Sequence, residues 1–173
     1  MAIHIIVDGY NLIRQSPTLS RLDRRDIALG REALVAGLAA YRKIKPHRIT
    51  VVFDGVNAPG LSAARDVQRG VHILFSRRGE TADAVIVRLA RQEREKALVV
   101  SSDAAVARAA EACGAAAIDS PEFEFRLAQA AAVQEAGVFE EEPAPRRIDT
   151  RKKGAGHRLS KRVRKNLSKA SKL

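Results

Sequence analysis

Short apolar runs alternate along this chain with longer stretches of helical spacing. The first run, HIIVD at 4–8, is continuous rather than alternating, as a strand buried on both faces should be. RITVVFDG at 48–55, VHILFS at 71–76, ALVVSSD at 97–103 and the weaker AAAID at 115–119 repeat that signature. After a loop containing Pro17, a helix is predicted from a cap at Asp23 through REALVAGLAAYRKIK to Pro46, with Leu34, Leu38 and Tyr41 in helical register. Residues 55–70, GVNAPGLSAARDVQRG, read as turns with one short helix. RRGE forms a loop, and Thr81 caps ADAVIVRLARQERE, whose apolar face lies around Ala84, Val87 and Ala90. AAVARAAEACG is a helix closed by Gly114, and Ser120-Pro121 opens a last helix, PEFEFRLAQAAAVQEA. Continuous strands alternating with helices predict an α/β domain with a central, mostly parallel five-stranded sheet covered on both faces. No internal repeat is present.

Composition changes this picture at one end only. The apolar fraction of 46% supports a real core, aliphatic and alanine-rich because aromatics make up only 4%. The single Cys113 excludes an internal disulfide and a cysteine-based zinc site, and its setting in AEACGAAAI suits a small buried hydrophobe. No apolar run approaches the ~20 residues of a membrane span. The N-terminus lacks a basic segment followed by a signal-like apolar stretch, so a cytoplasmic location is expected. The net charge of +11 is localised: residues 146–173 carry 12 Lys and Arg against Asp149 alone, leaving 19 bases and 19 acids in the rest. The expected organisation is a folded domain over 1–139 and, over 140–173, a linker and a basic tail. Within the tail Leu159, Val163 and Leu167 recur every four residues among Arg and Lys, as in a short basic amphipathic helix. A neutral body with a cationic tail points to a polyanion.

The strands deliver carboxylates at their ends: Asp8, Asp54, Asp103 and Asp119. In an open parallel sheet, ligands bind beyond those ends, where the strand order reverses. With the order 3-2-1-4-5, Asp8 and Asp103 would share one crevice with the helix that carries Asp83. Each acid also has a plain structural reading. Asp103 can cap its helix, Asp83 can complement a helix dipole, Asp54 before Gly55 can belong to a turn, and Asp119 can be structural. Asp8 is harder to assign this way, because DGYN does not obviously open a helix and a buried carboxylate needs a partner. Gathered carboxylates repel and raise one another's pKa unless a cation neutralises them. Mg²⁺ suits such a site, since it takes oxygen ligands and needs few direct carboxylates. It would polarise a phosphodiester and acidify an attacking water. Asn11 could add a neutral amide oxygen or fix a water. His4, His47, His72 and His157 are scattered and read as surface or packing residues.

Other chemistries lack their marks. There is no G-x-G-x-x-G after the first strand, so no nucleotide cofactor is expected, and no G-x-x-x-x-G-K-[ST] or G-x-S-x-G occurs. Tyr10 stands where an aspartyl-phosphate enzyme would show its second aspartate. A response-regulator receiver is disfavoured by the tail and by the lack of a clear lysine at the fifth strand.

IIVDGYNLI, VVFDG, GETADAVIVRLA and VVSSDAAVARAAEACGA, in that order, resemble the NYN-domain family of the YacP type, a branch of the PIN-like nucleases. The resemblance covers about residues 2–135, and RKKGAGHRLSKRVRKNL is similar to that family's basic ending. It implies a three-layer α/β/α, PIN-like (Rossmann-like) fold and an Mg²⁺- or Mn²⁺-dependent endoribonuclease that associates with RNA, including mRNA on the ribosome. Carried onto this chain, it makes Asp8 and Asp83 the main metal-binding acids and Asp103 the third, with Asn11 assisting at the edge. Glu80 would face the same pocket or the RNA. Asp54, Ser102 and Tyr10, the last a candidate for base stacking or for packing, complete the set. Arg77 and Arg78 in SRRGE would hold phosphates beside the acids, or form a solvated loop. Arg151, Lys152, Lys153, Arg158, Lys161, Arg162, Arg164 and Lys165 of the tail would contact RNA with steep salt dependence and, without aromatics, little sequence reading. Alternative readings are a solubilising extension or a membrane-surface contact for the tail. For the whole chain they are a non-catalytic RNA- or ribosome-binding module with a vestigial pocket, or a phosphatase-like metal hydrolase of small molecules.

Overall fold

The computed structural model describes residues 3–55 and 65–136. The elements are β1 (His4–Asp8), α1 (Gly9–Gln15), α2 (Pro17–Arg25), α3 (Ile27–Ile44), β2 (Arg48–Phe53), β3 (Arg65–Gln68), β4 (Val71–Phe75), α4 (Ala82–Glu93), β5 (Ala97–Val100), α5 (Ala104–Ala112), β6 (Ala116–Ile118) and α6 (Ser120–Ala136). The sheet order is β3-β4-β2-β1-β5-β6. Every pairing is parallel except β3 with β4. β1 therefore lies between β2 and β5, and the strand order reverses there.

The continuous apolar runs are buried as predicted. Ile5, Ile6 and Val7 of β1 and Leu98, Val99 and Val100 of β5 are all 0% exposed. Burying each such side chain contributes about 1.5–3 kcal/mol. Alternate residues feed two cores. Ile5, Val7, Ile49, Val51 and Phe53 pack against α1, α3 and α6, while Ile6, Val52 and Val99 meet α4 and α5. The result is a three-layer α/β/α fold.

Four details depart from the sequence reading. Residues 9–25 form two helices rather than a loop, and Asp26, not Asp23, caps α3 by accepting from Ala28 N at 2.7 Å. The turn-rich stretch supplies a sixth strand, β3, whose four residues are all exposed and so carry no apolar alternation. α4 buries Ala82, Val85, Ile86 and Ala90, one step away from the face centred on Ala84 and Val87. Cys113 is half-buried. No helix among the described residues is long and apolar enough to cross a membrane. The linker and tail, with the tail cations and the amphipathic pattern, lie outside the described residues.

Candidate active site

Asp8 ends β1 and also starts α1. Its Oδ1 accepts from Asn11 N at 3.2 Å, so the carboxylate is the helix N-cap, a role that DGYN did not announce. Gly9 makes this sharp strand-to-helix turn feasible: a β-carbon there would come within 2.3 Å of the Phe53 ring. Gly55 is as tightly constrained after Asp54, since a β-carbon there would lie 2.1 Å from the Ser76 carbonyl oxygen. Both strand-end acids are thus followed by a residue that must lack a side chain.

Across the β1–β5 crevice, Ser101 is 3% exposed and acts twice. Its hydroxyl donates to Asp8 Oδ2 at 3.1 Å and accepts from Asp103 N at 3.2 Å. Asp103 in turn caps α5, its Oδ1 accepting from Ala105 N at 2.7 Å and Val106 N at 3.3 Å. The capping role of Asp103 and its place at the crevice are therefore compatible. Asn11 ties the rim together, its Oδ1 accepting from Ser102 N at 2.9 Å and Ser120 Oγ at 2.8 Å. Its amide oxygen is thus committed to the protein, and Asn11 positions the cleft rather than offering the free neutral oxygen expected of it. Ser102 joins this clasp through its backbone, and its Oγ accepts from Ser120 N at 3.1 Å.

These elements open onto a cleft of about 310 Å³ whose acids are Asp8, Asp54, Asp83 and Asp103, drawn from four different segments. Arg14 and Gln15, at the end of α1, line it too. Burial pushes Asp8 above the usual carboxylate range; hydrogen bonds from Asn11 N and Ser101 oppose this, while the charges of Asp83 and Asp103 add to it. Asp83 is also raised, by partial burial and then by Asp103 and Asp54. Among the described residues, no three His, Cys, Asp or Glu side chains close into a ready-made metal cage. The oxygen-only donor set, in which the acids outnumber Arg14 among the described lining residues, fits a hydrated hard divalent ion that keeps several waters, and does not fit zinc.

The other candidates fall elsewhere. Glu80 does not face the cleft: it pairs with Arg88 and lines a separate recess with Arg77. Arg78 is exposed in the same loop and lines neither cavity. Tyr10 touches the cleft, but the residue is 6% exposed and its ring is set edge-on to Phe53 at 5.1 Å. Its hydroxyl accepts from Arg31 Nη1 at 3.2 Å, so it packs rather than offering a face to a base. Asp119 caps the start of α6 through Glu122 N at 2.8 Å, outside the cleft. Sequence reasoning missed Ser101 and Arg14. The SSD triplet contained the first signal, because alternation along the strand turns Ser101 inward and Ser102 outward. Arg14 lies one helical turn after Asn11, a spacing that would have revealed it had α1 been recognised.

The model of the YacP-like NYN domain matches residues 5–172. The uncharacterized protein YacP of Bacillus subtilis (strain 168) is 34% identical over 87 residues, a stretch that spans 50% of this chain and 51% of that relative. The crystal structure of Rae1 (YacP) from Bacillus subtilis superimposes with a TM-score of 0.68 at 29% identity, covering 79% of each chain. A tryptophan-to-leucine variant of that protein gives 0.67 at 26% identity, covering 78% of this chain and 80% of its own. With the family match running through nearly the whole sequence and the fold agreeing, the chain belongs to the YacP-like NYN family of the PIN-like nuclease superfamily.

Proposed function

We propose that this protein is an Mg²⁺- or Mn²⁺-dependent endoribonuclease whose metal is held by Asp8, Asp83 and Asp103. The observation that carries this reading is the convergence of four carboxylates on one open cleft, two of them, Asp8 and Asp83, raised by burial and by neighbouring acids. A site that keeps such repulsion is built for a cation. When bound, a divalent ion supplies charge neutralisation, a Lewis acid for a phosphoryl oxygen and a water of lowered pKa. The chain's own residues do the positioning. Ser101 fixes the Asp8 carboxylate and the start of α5 together, and Asn11 locks α1 to the β5–α5 loop and to α6. Arg14 offers the cleft's cation to a phosphate oxygen.

The substrate in this reading is RNA, including mRNA on the ribosome, in the cytoplasm. Residues 1–139 form the nuclease domain, and the cations of 140–173, with Arg77 and Arg78, contribute sequence-independent affinity. The test is cleavage of naked and translated RNA with Mg²⁺, Mn²⁺ or chelator. Wild type should cleave only with metal, and Asp8→Asn and Asp83→Asn should bind RNA but not cut it. Undiminished cleavage by Asp8→Asn overturns the proposal; ion and RNA binding with no cleavage by wild type makes the protein an RNA-binding module.

A further inference from the structure

The first turn of α4 separates two cavities of opposite sign. On one side is the acid cleft. On the other is a recess of about 320 Å³ floored by Leu74, Phe75 and Val85 and rimmed by Arg65, Arg77, Arg88 and Glu80. We infer that this recess is a second RNA site, in which the three arginines hold backbone phosphates of the strand whose neighbouring segment lies in the acid cleft. The inference rests on the RNA reading above and assigns that substrate a path.

The recess follows from the topology. Arg65 of β3 is paired opposite Leu74 of β4, so both side chains point to the α4 side of the sheet. α4 packs mainly on β1, β2 and β5, which leaves the β4–β3 edge on that side as an open shelf. Arg65 and Arg77 are exposed, and the Arg88 side chain is 53% exposed. Glu80 accepts from Arg88 Nη1 and holds that guanidinium at the rim. Among the described lining residues Glu80 is the one acid, so three guanidiniums face one carboxylate. The planar donor fork of arginine matches phosphate oxygens, and the apolar floor suits a sugar or base face. The acid cleft itself repels a polyanion, with Arg14 as its one cation among the described lining residues. An adjacent cationic shelf offsets that repulsion, which favours a nucleic acid strand over an acidic protein partner. Continuity supports the same path: Arg77, Glu80 and Asp83 lie on one short segment that runs from the recess to the cleft.

The experiment measures binding of a single-stranded RNA oligonucleotide by fluorescence anisotropy across a salt series. Full-length protein carrying Asp8→Asn is used, so that turnover does not enter. Adding Arg65→Ala and Arg88→Ala together should weaken binding by about tenfold and flatten the log–log salt slope by about 1.4, at roughly 0.7 per lost single-strand phosphate contact. Arg65→Gln alone, at an exposed edge position, should give about half that slope change and covers the case in which the double variant does not fold. Arg108→Ala, an exposed cation on α5, should leave the slope unchanged. Unaltered affinity and slope in the recess variants overturn the inference and leave the recess to an acidic protein; equal losses from Arg108→Ala overturn it in favour of diffuse attraction. Neither result bears on whether the acid cleft cleaves RNA.

Discussion

The two ends of β1 each bury a titratable side chain, and they do so in opposite ways. His4 is 3% exposed and Asp8 is 8% exposed. His4 sits in a neutralising setting: Nε2 is 2.8 Å from Thr50 Oγ1, and Nδ1 faces Glu93 at 3.1 Å. Asp8 receives two hydrogen bonds, yet the charges beyond them are Asp83 and Asp103, both of its own sign. Burial of a polar group therefore does not by itself mark a functional site. What distinguishes the upper end of the strand is the gathering of like charges, four acids against Arg14 among the described lining residues, and the lower end is the internal control.

Breaking the comparison at its upper end should have the largest effect. Asp8→Asn should lower RNA cleavage on the order of 10³-fold, the rate equivalent of several kcal/mol of lost electrostatic assistance. The same change should leave the melting temperature equal or higher, because it removes a buried charge; Mn²⁺ should raise the melting temperature of the wild type and not that of the variant. His4→Ala should do the reverse, costing about 2 kcal/mol in denaturant unfolding while cleavage stays within about twofold of wild type.

A smaller effect is expected from Ser101→Ala. The carboxylate of Asp8 would keep its charge but lose one orienting donor, and cleavage should fall about 10- to 100-fold. The pH–rate profile should shift upward with it, since the lost hydrogen bond was holding the Asp8 pKa down. A purely structural serine would lower the rate without moving the profile.

The smallest effect is on stability as pH changes, and its two signs are opposed. Burial, then Arg48, lowers the His4 pKa below 6.5, against the pull of Glu93. The unfolded chain then takes up that proton more readily, so the His4 contribution is lost as pH falls from about 6.5 through the folded value. Asp8 is raised above 3.8, so the folded state holds its proton more tightly and gains stability as pH falls through the folded value toward 3.8. Melting temperatures against pH should show the wild-type advantage over His4→Ala shrinking on acidification. The deficit relative to Asp8→Asn should shrink as pH falls toward 3.8. Parallel curves would refute the contrast.

Much of the scaffold was legible because its strands are buried on both faces, which writes a continuous apolar run into the sequence. β1, β2, β4, β5 and β6 follow from such runs, and their order around β1 brings Asp8, Asp83 and Asp103 together. β3 left no trace, since a fully exposed edge strand such as RDVQ needs no apolar pattern. The helices α1 and α2 were obscured by length: at 7 and 9 residues they carry too few turns for periodicity to stand out. α2 nevertheless starts at Ser16-Pro17, the same serine-proline pair that announces α6 at Ser120-Pro121, although there Asp119 rather than the serine is the cap. In the site, residue types that bear charge were easy to find, whereas Ser101 acts only through two hydrogen bonds made across the fold. That Glu80 does not share the cleft has a similar cause: its three-residue offset from Asp83 spans a helix start, and the two residues line different cavities, which leaves its other expected role, toward RNA, open.

The close approach at Gly9 also limits how this family member can drift. Phe53 occupies the space where a β-carbon at position 9 would go, and Phe53 is itself held between Tyr10, 5.1 Å away, and Phe75, 5.7 Å away. A side chain at position 9 needs a smaller residue at 53, and that change empties the space on which the two other rings lean. The four positions thus form one epistatic unit beneath the acids: single steps are closed, and only coordinated replacement keeps Asp8 where the proposed chemistry needs it.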